Sequence, residues 1–533
     1  MVSGLETTDI PGSEDGFFHV VAYYRLAIKR KYIYVLGMRN STPFFDAFGP
    51  LLFGRPPVSG IAEAFAKFSQ CATLSHLRKL FGAAIPTALL APRTGGKNSR
   101  QRLFSLEVVF WTFLDQVQTP GGACREAVRK VMAVARRKLG RDGGEPMSQQ
   151  TSAYCQARAR LPLKVLDDIH DHLAERLHNH IPQGGLWHER HVRVIDGTSC
   201  SMPDTEANQA RWPQSTSQRP GCGFPIMNLV GVFCLHSGAL IKAAYGDRGT
   251  HETTLFRRLW GTFQPGDLAL SDRGFCSYAA LAGLRSRGVD SLMRLPEKKI
   301  RVTIGSKLPK EPNFDVIITW ERPAQRPPGL SPEDFVLLPE SIAVRVVRYT
   351  IAKAGFRTQS VTLVTTLLDS AIPSSDLAEL YFQRWGVELR FREIKIHLHM
   401  DILRCKSPHM VEREVRMHFI AYNLVRCLMQ KAALTHAVEL ARVSFKGALD
   451  TLRQFANALS GAENKPRTVA AMVDEMLSAI ARDLVPLRPD RAEPRVRKRR
   501  PKNYRLMTKP RREMGPLPRR KNGVERNPKT GLS

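Results

Sequence analysis

Leu106, Val109, Phe110, Phe113, Leu114 and Val117 recur at three- and four-residue spacing, the repeat of a helix with one buried face. Val128, Val131, Met132, Ala135 and Leu139 repeat the pattern. A third helix is expected after Pro146, with Ser148 or Thr151 as its N-cap. Near His191 the texture changes to short strands, predicted over 191–196, 226–235, 267–271 and 290–295. Residues 239–245 are expected to pair back across Ser237-Gly238 as a hairpin, and 278–287 to form a helix. From 296 to 358 the chain is Pro-rich, with strand-like runs at 314–320 and 343–351, and reads as an inserted β-rich module. Buried-strand character returns over 361–368, and one long helix is predicted over 375–397, with more helix over 410–433.

Such a chain is α/β and too long for a single compact core. We divide it into an unassigned leader (1–60), a helical N-terminal domain (61–185) and the first part of an α/β core (186–296). The β-rich insertion (297–360), the second part of the core (361–433), C-terminal helices (434–485) and a basic tail (486–533) follow.

Charge narrows the class of partner. The sequence holds 80 Lys+Arg against 49 Asp+Glu, a formal net charge of +31. An excess of this size calls for a polyanion, either nucleic acid or an anionic membrane surface. Residues 491–533 alone carry 16 basic and 3 acidic side chains, a net of +13. The longest uncharged stretch near the middle, 224–241, is broken by Asn228, His236 and Ser237-Gly238, so no membrane span is expected. The first residues lack the basic start and apolar core of a signal peptide. The nine cysteines form no C-x-x-C pair; Cys200, Cys234 and Cys276 read as buried thiols, and a reducing, cytoplasmic setting is expected.

Three acids stand out by context. Asp196 ends a predicted strand and precedes Gly197-Thr198; Asp272 ends another and precedes Arg273-Gly274-Phe275. A strand-end carboxylate can project beyond the packed layer into a cleft, although a lone one is more often a turn residue. Asp247, before Arg248-Gly249, is read as such a turn residue paired with Arg248. Glu388 lies mid-helix. Tyr381, Arg384, Glu388 and Lys395 stand at offsets that fall at about 0°, −60°, −20° and −40° on an α-helix, one narrow stripe. Glu393 falls about 140° from Glu388, so it is expected to lie outside the site and to tolerate replacement. Two strand-end aspartates and a helical glutamate can converge on two divalent ions, and hard oxygen donors suit Mg²⁺ or Mn²⁺.

The spacing Tyr381-x2-Arg384-x3-Glu388-x6-Lys395 resembles the YREK signature of DDE transposases of the insertion-sequence-four family. The Asp196-Gly-Thr and Asp272-Arg-Gly-Phe contexts resemble that family's two aspartate motifs, and the β-rich insertion fits its layout. The resemblance runs from about Leu103 to the C-terminus. It implies a ribonuclease-H-like core, a mixed sheet flanked by helices, that cuts a mobile element out of DNA and inserts it elsewhere with two Mg²⁺ or Mn²⁺ ions. It implies that Tyr381, Arg384 and Lys395 hold phosphates of double-stranded DNA, terminal inverted repeats and target alike. A homodimer on DNA in the bacterial nucleoid is implied too. Trp320 would stack on a flipped base, although Phe314, Val316, Ile318 and Trp320 share one strand face, the pattern of a core residue. Thr151, Tyr154 and Arg158 share a face that resembles a DNA-reading helix. His251, His397, His399 and His409 show no ligand spacing. Two other readings remain: a catalytically silent DNA-binding protein derived from a transposase, and a ribonuclease-H-like nuclease that does not join strands.

Overall fold

The computed structural model describes residues 80–486 apart from gaps at 83, 92–102, 139–149, 297–306, 328, 352–358 and 462–464, together with 509, 510 and 513. The leader 1–60 and most of the basic tail lie outside the described residues.

Four helices open this part: α1 (Leu106–Gln118), α2 (Cys124–Lys138), α3 (Ser152–Ala159) and α4 (Leu163–Asn179). Ser105 caps α1 by accepting from Val108 N at 3.4 Å. Val109, Phe113 and Leu114 are buried, as their spacing predicts. The DNA-reading face expected on α3 is turned inward. Tyr154 is fully buried and Arg158 is 9% exposed, its guanidinium over the Phe113 ring and donating to Gln116 Oε1 at 3.0 Å. These side chains serve the core that the N-terminal helices share with the sheet and do not face a DNA groove.

The strands are β1 (Val192–Ser201), β2 (Ile226–Cys234), β3 (Leu240–Asp247), β4 (Leu268–Ser271), β5 (Asp290–Arg294), β6 (Phe314–Glu321), β7 (Ser341–Ile351) and β8 (Gln359–Thr365). They form one eight-stranded mixed sheet in the order β3-β2-β1-β4-β5-β8-β7-β6. β1, β4 and β5 are parallel, while β2 and β3 return antiparallel on one side, the ribonuclease-H-like arrangement. The runs 314–320 and 343–351 do form strands. Through β8 they pair onto β5 and extend the central sheet rather than building a separate layer.

Helices cover both faces because strand side chains alternate. Val192 and Val194 join a core shared with α11 (Pro408–Thr435). Ile195 joins the opposite core, with α6 (Glu252–Arg257) and α7 (Tyr278–Arg285). Asn423 ties α11 to the sheet by bonding both Leu240 N (3.0 Å) and Leu240 O (2.9 Å). The short α5 (Glu206–Arg211) and α8 (Pro332–Val336) lie in connections, and α12 (Phe445–Gly461) and α13 (Pro466–Arg482) complete the C-terminal side. Among the described residues no helix is long and apolar enough to cross a membrane.

Trp320 is 2% exposed and meets Tyr278 edge-on, with ring centroids 6.2 Å apart. Alternation along β6 turns it into the core, so it offers no open ring to a base, and the stacking role is withdrawn. The long helix expected over 375–397 is interrupted. α9 (Ser374–Gln383) stops at Arg384, α10 (Gly386–Arg392) starts at a glycine, and Glu393–His397 is a π-helical turn closed by Leu398 N to Glu393 O at 3.2 Å. Glycine is a poor helix former, and a π turn is an i→i+5 defect often found at functional sites. The 100° projection therefore does not carry across to Lys395.

Candidate active site

Strand register brings the two aspartates together. β1 and β4 pair in parallel from Val192↔Leu268 to Ile195↔Ser271, and then β4 ends. Asp196 and Asp272 are the next residues on adjacent strands, which lie about 4.8 Å apart. β1 itself continues to Ser201, so Asp196 sits at the end of the β4 pairing, not at the end of its strand. Asp272 Oδ1 accepts from Gly274 N at 2.8 Å and Asp196 Oδ1 from Gly197 N at 2.9 Å, so each carboxylate is held by the backbone that follows it.

Glu388 arrives from above. Asp196 shares the parity of Val192 and Val194, so it faces the side on which α10 packs against β1. α10 comes close because Gly231, opposite Asp196 on β2, leaves room for the Phe391 ring; a Cβ there would lie 3.1 Å from it. Burial raises the Asp196 carboxyl to about 6, and the like charges of Asp272 and Glu388 push the same way, against Gly197 N–H and Arg384. Arg384 is 6% exposed, lies 3.8 Å from Glu388, and stacks over Tyr381 (5.6 Å) and Trp385 (5.2 Å). Its Nε is buried without a partner, and burial raises the Tyr381 hydroxyl. Lys395 Nζ reaches down to β1, donating to Thr198 Oγ1 (3.1 Å) and Ser199 O (2.8 Å).

Among the described residues no three Asp, Glu, His or Cys side chains are closed into a metal-ligand shell. The donor set nonetheless suits a hard divalent ion: oxygen donors only, with like charges gathered beside a partly buried Asp196. Because the folded-state value of Asp196 lies above its ordinary one, the ion-free fold loses stability as pH rises from about 4 to about 6. A ligand carboxylate must shed its proton, so Mn²⁺ affinity is expected to fall as pH drops through about 6. Calorimetric titration at about pH 5 and about pH 8 measures this; equal affinities would remove Asp196 from the ligand set.

Two residues here carry no motif. Trp385 is half exposed beside Arg384, and Glu252, at the start of α6, faces the aspartates from the other side of the sheet. Burial and the Asp272 charge raise the Glu252 carboxyl. The sequence signal that goes with Glu252 is Gly197, which has no side chain where the Glu252 carboxylate lies. Asp247 is the turn residue expected, but Thr250 holds it, through N and Oγ1 at 2.8 Å each, and not Arg248.

Over 417 residues the chain is 27% identical to the transposase InsG for insertion sequence element IS4 of Escherichia coli strain K12, spanning 77% of this chain and 89% of that protein. Residues 187–424 match the family model described as the transposase DDE domain. The chain therefore carries a transposase DDE domain and is similar, over most of its length, to a transposase of insertion sequence element IS4. Shorter similarities, 31% identity over 70 residues, link this transposase to the putative transposase InsL for IS186A of E. coli K12 and the transposase for IS421 of E. coli. Each covers 13% of the chain and 19% of the relative. The matched domain takes in the aspartate pair, the β6–β7 extension of the sheet and the helix of Glu388.

Proposed function

We propose that this transposase cleaves the ends of an insertion sequence and joins them to target DNA by cut-and-paste transposition, with Asp196, Asp272 and Glu388 as the acids that hold two Mg²⁺ or Mn²⁺ ions. The observation that carries the reading is the parallel register Ile195↔Ser271, which sets Asp196 beside Asp272 under the helix of Glu388. When bound, the ions supply electrostatic stabilisation of the attacking and leaving oxygens. The protein's own part is to hold the scissile phosphate in line and keep its charge balanced.

Arg384 has a buried, unpartnered Nε and a loose ion pair, and a DNA phosphate would complete its bonding. Tyr381, stacked against it, fixes the guanidinium plane. Lys395 uses two of its three N–H donors on β1, which leaves the third for a phosphate beside the scissile one. The net charge of +31 supports double-stranded DNA as the partner, both terminal inverted repeats and target. Cutting two ends calls for a homodimer on DNA, working at the nucleoid.

Lys395→Ala is expected to slow strand transfer about tenfold or more, while end binding falls less. Gel shift and product formation on one labelled end separate the two. Equal losses in both would mean that Lys395 serves binding alone.

A further inference from the structure

The carboxylates described so far come from the sheet and from the α10 side. Gly197, next in β1 after Asp196, has the opposite parity, shared with Ile195 and the core under α6. A Cβ built on Gly197 would fall on the Glu252 carboxylate. Glu252 thus reaches the strand through the notch that glycine leaves, one residue from Asp196 and on the far face from Glu388. In a chain of net charge +31, its carboxylate meets no hydrogen-bond donor or ion-pair partner among the described residues. Partial burial and the Asp272 charge raise this carboxyl, with the neighbouring His251 opposing, and a cation beside it would relieve that repulsion.

We propose that Glu252 is a fourth carboxylate of this site, an oxygen ligand that faces the divalent ions, directly or through water, from the α6 side of the sheet. This rests on the proposed metal-dependent reading of Asp196, Asp272 and Glu388, and adds a residue outside the three motifs. It also accounts for Gly197: any side chain there would displace Glu252.

The test uses the full chain with Mn²⁺ alone, without DNA, and reads binding by electron paramagnetic resonance or calorimetry. Glu252→Gln is expected to weaken Mn²⁺ about tenfold, the size of effect seen when a supporting group of a metal site is lost. Gly197→Ala is expected to do the same by pushing the carboxylate aside, while the exposed Glu439→Gln binds as wild type. Thermal unfolding without metal should find Glu252→Gln at least as stable as wild type, because one of several like charges is gone. A lower midpoint without metal would make Glu252 a structural residue and overturn the proposal. Normal Mn²⁺ binding by Glu252→Gln alongside weak binding by Asp272→Asn would also overturn it, leaving the three-acid reading intact. Normal binding by Asp272→Asn would instead overturn the metal reading itself.

Discussion

Asp272→Asn is expected to cut strand cleavage at the element's end by about 10³-fold or more, on the order of 4 kcal/mol of barrier, with end binding nearly unchanged. The substitution is chosen to spare the fold. An asparagine Oδ1 can still accept from Gly274 N, so the turn after β4 persists. What disappears is the negative charge beside Asp196, at the one place where β4 ends and two adjacent strands present acids side by side. Asp196→Asn and Glu388→Gln should behave alike. Cleavage of a labelled end in Mg²⁺, with a gel shift on the same DNA, measures the split. A variant that cuts at near wild-type rate would take that residue out of the site.

Glu393→Ala is expected to destabilise the fold by about 3 kcal/mol, because it breaks a buried ion pair. On a helical projection Glu393 lies off the stripe and looks dispensable. It does stand away from the acids, but its carboxylate pairs with Arg390 at 3.2 Å, both side chains mostly buried. Arg426, fully buried, lies in the same cluster and donates to Ser237 O, tying α11 to the β2–β3 turn. Removing Glu393 leaves two buried guanidiniums with no carboxylate between them. Thermal unfolding should show a midpoint several degrees lower; an unchanged midpoint would mean that Arg390 finds another partner or water.

Strand parity and the spacing around Glu388 are local properties, so the three acids can be singled out from the sequence alone. The same local reasoning found the β2–β3 hairpin and the strands β4 and β5. It failed where a residue's role depends on what lies across the fold. Tyr154 and Arg158 formed a plausible polar face, but Phe113 and Gln116 claim them. Trp320 drew a role from resemblance that its own parity opposed, and parity prevailed. The interruption at Arg384–Gly386 and the π turn at Glu393–His397 break the regular 3.6-residue repeat, which a projection along one ideal helix does not record. Glu252 was missed for the same reason: its partner is the backbone of Gly197, 55 positions away in the chain.

The most direct test of the central claim is where a divalent ion binds. Crystals of the chain soaked in Mn²⁺, with anomalous diffraction recorded at the manganese edge, locate it without reference to activity. A peak is expected within direct bonding distance of carboxylate oxygens of both Asp196 and Asp272, on the side of β1 that faces α10. A well-occupied manganese site elsewhere, with no peak between these two aspartates, would contradict it.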